Sequence, residues 1–206
     1  MTMQVNVLPV GMLQTNCYIL SAADNTAVIV DPGDESERIE RFVKSHNLTV
    51  KAIWLTHGHF DHIEAVLPLK EVFSCPVIAC NAEQSLLADP MLNLSGRFTD
   101  KKISLAADVY YEDNDTFTFG GETVTVLHTP GHTVGSCCYL LGSLLFSGDT
   151  LFSCSIGRTD FPTGDMVVMQ ASLDRLAALE GDFTVYSGHG PITTLETERQ
   201  QNPYMM

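Results

Sequence analysis

The chain has 206 residues, with 25 acidic side chains against 11 basic ones and a formal net charge of −14. A phosphate-binding surface needs clustered lysine and arginine, so this balance argues against nucleic acid as a partner. The longest apolar stretches, AVIVD and CCYLLGSLLF, are of strand length, well short of the roughly 20 residues of a membrane span.

The opening MTMQVNVLPVG has no basic n-region and no long apolar run, so no signal peptide is read and a cytoplasmic location is expected. The length suits one domain over residues 1–206. Six cysteines (Cys17, Cys75, Cys80, Cys137, Cys138, Cys154) form no CxxC pair and are expected as reduced thiols. Cys137 and Cys138 are adjacent on an expected strand and should point to opposite faces, while Cys154 falls in a loop.

In chain order, QVNVLPV, NCYILSA and AVIVD read as short strands, the last ending in the turn DPGD. A helix is expected over Glu35–His46, where Ile39, Phe42 and Val43 recur at helical spacing and Asp34 or Ser36 could cap it. KAIWLT reads as a strand covered on both faces, with Trp54 in the core. HIEAVLPLKEVF should be helical, with Pro68 kinking or interrupting it. PVIAC is a strand, and NAEQSLLAD a short helix with Asn81 as its cap. Pro90 to Lys102 shows no strong period.

The second half repeats the style, with strands at DVYYE, TFTFG, TVTVLHT, SCCYLLG and SLLFSG. A helix over Asp165–Leu179 would bury Met169, Leu173, Leu176 and Ala177 and stop near Gly181. FTVYSGHG and a polar helix from about Thr194 close the chain. Two similar α/β halves suit two packed sheets with helices outside.

Five of the seven histidines (His57, His59, His62, His132, His189) stand beside glycine or threonine at strand ends, in THGHFDHI, TPGHTVGS and SGHGPIT. Asp149, in FSGDTLF, has the same setting. Side chains at strand ends emerge along one sheet edge and can converge. On extended chain His57 and His59 share a face and can chelate one ion, while Asp61 and His62 follow a turn and could face another. A lone buried histidine usually satisfies a hydrogen bond; five with two carboxylates point to metal.

THGHFDH, TPGHTVGS, SGDTLF and SGHG, in this order, resemble the HxHxDH signature set of the metallo-β-lactamase superfamily, and NCYIL and VIVDPGD resemble its early strands. The resemblance implies an αββα sandwich, two mixed β-sheets flanked by helices. It also implies that His57, His59 and His132 hold one metal, that Asp61, His62 and His189 hold a second, and that Asp149 bridges them. Two divalent ions are implied, with Zn²⁺ expected and Fe or Mn compatible with these donors. A bridging hydroxide would attack a carbonyl carbon, with Asp61 orienting it as well as ligating.

A bridging Asp149 is similar to the glyoxalase II (hydroxyacylglutathione hydrolase) type. This implies hydrolysis of S-2-hydroxyacylglutathione thioesters, S-D-lactoylglutathione giving D-lactate and glutathione, with a small-molecule glutathione conjugate as partner. In SIGRTDFPTGD, Arg158 and Asp160 stand where the longer enzymes carry a Lys and a Tyr that contact glutathione, so these two are the candidate substrate-binding residues. Their other reading is a loop salt bridge or cap. Tyr110, Tyr111, Phe152 and Phe161 are expected to pack in the core or line the cleft. GRTDF also resembles the mononuclear iron persulfide dioxygenases, whose iron ligands correspond to His57, His132 and Asp149. That alternative uses one ion; here the second set of ligands is present as well.

Overall fold

A computed structural model describes residues 3–206. The first half builds a six-stranded sheet in sequential order: β1 (Gln4–Val10), β2 (Thr15–Ser21), β3 (Thr26–Val30), β4 (Thr49–Trp54), β5 (Val77–Cys80) and β6 (Val109–Tyr111). β1 to β3 are antiparallel neighbours, and β3 to β6 are parallel. Parallel neighbours require crossovers, supplied here by α1 (Ser36–Ser45), α2 (Phe60–Ile63) with α3 (Val66–Phe73), and α4 (Gln84–Ala88) with α5 (Ser95–Phe98).

The second half contributes β7 (Thr116–Phe119), β8 (Glu122–His128), β9 (Cys137–Leu141) and β10 (Leu144–Gly148). A small ribbon of β11 (Leu151–Phe152) and β12 (Ser155–Ile156) follows, then α6 (Met166–Ala177), β13 (Thr184–Ser187), β14 (Thr193–Thr194) and α7 (Leu195–Gln201). The order in this sheet is β14-β13-β10-β9-β8-β7, with only β10 and β13 parallel. Both sheets are thus mixed, and the architecture is the expected αββα sandwich.

Strand alternation sorts each side chain into a layer. On β2, Cys17 and Ile19 face α1 and α3, joining Ile39, Val43, Val66 and Leu69. Tyr18 and Leu20 face the opposite way, into the space between the sheets, with Trp54, Val126, Tyr139 and Phe146. Behind the second sheet, Met169, Leu173 and Leu176 of α6 pack on Leu127, Cys138 and Leu145. Cys137 and Cys138 do divide between two layers, and all six cysteines are free, with Cys154 exposed.

β9 is antiparallel to both β8 and β10, so β8, β10 and β13 run the same way and end at one edge. β3 and β4 likewise end together. The Cys137 amide donates to the Thr56 carbonyl at 2.8 Å, tying the two edges to each other. The turns that carry His57, His59, His62, His132 and His189 are therefore delivered to one end of the sandwich.

Several local expectations are corrected. Neither Asp34 nor Ser36 caps α1: Glu35 is the cap residue, left-handed at φ 53°, and makes no side-chain capping bond. Its carboxylate is drawn instead to the Gly11 amide and to Arg38, each at 3.0 Å. Pro68 breaks nothing, because it sits in the first turn of α3, where its missing N–H would be unpaired anyway; the chain breaks earlier, at Glu64 and Ala65. Asn81 caps no helix; it opens a 3₁₀ turn over Asn81–Glu83 and hydrogen-bonds Glu112 at 2.7 Å. Ala177 is half-buried, at the edge of the α6 stripe.

Asp165 caps α6, accepting from the amides of Val167 and Val168 at 2.7 and 3.1 Å. Asp165→Ala is expected to lower unfolding free energy by about 1 kcal/mol in urea titrations, with metal content unchanged.

Candidate metal centre

His57 and His59 sit on extended chain after β4, and His59 is the last extended residue before α2 (φ −64°, ψ 149°). The one-turn helix then carries Asp61 and His62 inward. His132 comes from the loop after β8, Asp149 directly follows β10, and His189 follows β13. Two trios of ligand atoms form, His57, His59 and His132, all buried, and Asp61, His62 and His189; a third grouping, Asp31 with His57 and His62, shares one histidine with each.

Asp149 lies between the trios. Its Oδ2 is 3.5 Å from His132 Nε2 and 3.6 Å from His189 Nε2, and its Oδ1 is 3.4 Å from His62 Nε2. Asp61 Oδ2 is 3.2 Å from His189 Nε2 and 3.6 Å from His62 Nε2. Gly188 makes this approach feasible, because a Cβ there would lie 2.1 Å from Asp149 Oδ1. At Gly33 a Cβ would lie 1.6 Å from the Asp61 carbonyl oxygen. Both glycines are required by close approach.

Hydrogen bonds outside the trios decide which ring nitrogens face in. His62 Nδ1 is 3.0 Å from an Asp31 carboxylate oxygen, which only accepts, so Nδ1 carries the proton and Nε2 presents a lone pair. The same logic holds for His132, whose Nδ1 donates to the Arg158 carbonyl at 2.6 Å, and for His189, whose Nδ1 donates to the Leu13 carbonyl at 3.2 Å. Thr56 spends its one hydroxyl proton on Asp31 at 2.6 Å, so its oxygen accepts from His57 Nδ1 at 3.2 Å. His59 Nδ1 stands 2.9 Å from His132 Nε2, a gap that holds one proton or one cation.

The electrostatics divide the two trios: His57 and His59 are held neutral, whereas against burial Asp61 and Asp149 raise His62 and His189, so a cation in the second trio would take the place of protons. Burial, reinforced by neighbouring imidazoles, pushes His57 well below the ordinary histidine range and His59 to about 3, so both are neutral bases. Burial alone would raise Asp149, but His62, His132 and His189 hold it well below the carboxylate range. Burial also works against a charged His62, yet Asp61 and Asp149 raise it. Among the described residues, His57 Nε2, His59 Nε2, His62 Nε2 and Asp149 Oδ1 are buried with no hydrogen-bond partner. Buried imidazole nitrogens and carboxylate oxygens left without partners at the floor of a cleft fit divalent cations.

Three contributors had escaped the sequence reading. Asp31, seen there only as a turn residue, accepts from the Thr56 amide and hydroxyl and from His62; with its oxygens so occupied it is a strut for the ligands. Thr15 donates to Asp61 Oδ2 at 2.9 Å. Glu83, fully buried, accepts from the Gly58 amide at 2.8 Å, the Gly135 amide at 2.8 Å and the Thr133 hydroxyl at 2.9 Å. It clamps the two loops that carry the first trio, and burial raises it to about 7 against these donors.

The centre opens into a cleft of about 1200 Å³, lined partly by Arg158, Phe152 and Phe161. Arg158 pairs bidentately with Asp160 at 2.6 and 2.7 Å, and its guanidinium lies 3.8 Å from the Phe161 ring centroid. Asp160 is exposed, and Arg158 holds its carboxyl at about 2. Tyr110 and Tyr111 pack against the two core layers of the first sheet.

A family model for the metallo-beta-lactamase superfamily matches residues 10–189. The chain is 39% identical over 202 residues to the probable metallo-hydrolase YqgX of Bacillus subtilis, covering 96% of this chain and 95% of that protein. It is 32% identical over 208 residues to the hydroxyacylglutathione hydrolase GloC of Haemophilus influenzae, covering 98% of each. The crystal structure of the BLEG-1 B3 metallo-beta-lactamase superposes with a TM-score of 0.93 at 42% identity, covering 98% of this chain and 100% of that one.

Glu83→Ala leaves the buried amides of Gly58 and Gly135 without an acceptor, so a loss of about 2 kcal/mol or more is expected in denaturant titrations. Metal retained after dialysis against a weak chelator should fall with it.

Proposed function

This chain belongs to the metallo-beta-lactamase superfamily, and we propose that it is a metal-dependent hydrolase of the short glyoxalase II-like kind, cleaving S-2-hydroxyacylglutathione thioesters. The observation that carries this reading is Asp149 between two ligand trios, within 3.6 Å of a histidine from each. Such a carboxylate suits a two-ion site, with His57, His59 and His132 on one ion and Asp61, His62 and His189 on the other. Zn²⁺ is the proposed metal, with Fe and Mn suited to the same donors. Bound there, the ions would polarise the thioester carbonyl and lower the pKa of water.

The chain's own residues supply the rest. Asp61 Oδ2 accepts from Thr15, which fixes the carboxylate and leaves Oδ1 to orient the attacking water. Water adds across the C–S bond, giving a hydroxy acid and a thiol; the thiolate is a good leaving group and needs little acid help. The Arg158–Asp160 pair is proposed as a substrate contact. Its paired charges complement the zwitterionic γ-glutamyl end of glutathione, while Phe161 keeps the guanidinium in plane. The likeness to GloC supports this substrate class. Among the described residues no helix is long and apolar enough to cross a membrane.

Elemental analysis should find two metal ions per chain. The wild type should release free thiol from S-D-lactoylglutathione, with kcat/KM reduced at least ~10²-fold in Asp61→Ala and in His59→Ala. Faster opening of a β-lactam than of the thioester would overturn the substrate class. One iron per chain with oxygen uptake on glutathione persulfide would replace hydrolysis with oxidation. Arg158→Ala should raise KM about tenfold while changing kcat little, as expected for one charge-assisted contact; an unchanged KM would remove that role.

A further inference from the structure

The cleft over the centre is bounded on one side by the segment that sequence periodicity left blank, residues 90–102. This segment is firmly built. Asn93 and Ser95 are both fully buried. The Asn93 side chain accepts from the Ser95 amide at 3.0 Å and donates to the Ile103 carbonyl at 2.8 Å, and the Ser95 hydroxyl accepts from the Ile103 amide at 2.9 Å. The Phe60 amide donates to the Asn93 carbonyl at 2.8 Å, which fastens the segment to the turn carrying Asp61 and His62.

Between those anchors Leu94, buried, adopts φ 69°, a left-handed conformation that bulky residues seldom tolerate. That turn starts α5 and leaves Arg97 and Phe98 facing the cleft. Phe98 stands 6.0 Å from the Phe60 ring and 6.0 Å from the Phe161 ring, extending the aromatic wall that begins beside His59.

Three cations line this cleft: Arg97, Lys101 and Arg158. Lys101 is paired with Glu64, and Arg158 with Asp160. Arg97 has no side-chain hydrogen bond or ion pair among the described residues, and none joins it to Asp100 three residues on. In a chain of net charge −14, an unpaired guanidinium at the mouth of the reaction cleft is the group most ready to receive an anion.

We propose that Arg97 is a specificity residue, receiving a carboxylate on the thiol half of the substrate. The planar guanidinium can take a carboxylate bidentately, and Phe98 beside it limits how far that end can swing. The inference rests on the thioester reading above and adds what selects among thioesters.

The test compares S-D-lactoylglutathione with S-D-lactoyl-N-acetylcysteamine, which has the same acyl group and no ionic groups. In Arg97→Ala, the ratio of kcat/KM for the first over the second should fall at least about tenfold, carried by KM. Arg97→Lys should recover part of the ratio. Lys102→Ala removes the same charge from an exposed neighbour and should leave the ratio within about twofold of the wild type, as a general charge effect would not. An unchanged ratio in Arg97→Ala, or an equal loss in Lys102→Ala, overturns the proposal. If the wild type hydrolyses neither compound, the thioester reading fails by itself. Calorimetric titration with S-methylglutathione then decides the role of Arg97: binding at least tenfold weaker in Arg97→Ala supports it, and equal binding or none to the wild type overturns it.

Discussion

Five imidazoles and two carboxylates aimed at a common space leave several buried nitrogen and oxygen atoms without partners, and a bound cation would supply what they lack. Much of the surrounding structure serves to keep these groups from turning away. Asp31, Thr56, the Arg158 carbonyl and the Leu13 carbonyl each hold the far nitrogen of a ligand histidine. A ring fixed by its outer nitrogen cannot rotate to relieve crowding at the inner one. The pocket is therefore preorganised at the expense of local stability, a common bargain at functional sites.

Glu83 shows how the arrangement crosses between elements. It belongs to neither ligand loop, yet one carboxylate accepts from Gly58 in the first and from Thr133 and Gly135 in the second. Asp31 plays the matching part at the end of β3, reaching His62 directly and His57 through Thr56. Asp31 thus fixes the loop after β4, and Glu83 ties that loop to the one after β8 in the other sheet. Because buried hydrogen bonds that share one acceptor group are directional, such struts define position more sharply than apolar packing does.

What was legible in the sequence follows from these roles. Ligands cluster in short motifs and stand beside glycine, so His57, His59, His62, His132, Asp149 and His189 were visible as a set. The two-sheet plan was visible too, because strands and helices follow one another in two similar halves and apolar residues recur at helical spacing on α6. Glu83 was hidden: an acid in NAEQSLLAD reads as a solvated helix start, and only the fold brings Gly58 and Gly135 to it. The α1 cap was misread because Glu35 bonds to Gly11, 24 residues away. α5 has four residues, too few for a period, and owes its shape to the buried Asn93 and Ser95.

The two trios differ in how far apart their members lie along the chain. The first draws on residues 57 to 132, the second on residues 61 to 189, with Leu13 steadying His189. Asn16 and Tyr18 also reach across to the Ser187 carbonyl, over 171 and 169 positions. A chain emerging from the ribosome can therefore assemble the first trio well before the second. His62 and Asp61 are joined by His189, which follows β13 near the end of the chain. The second half of the centre is thus the one that needs nearly the whole chain, and it lies where the first strands meet the end of the second sheet.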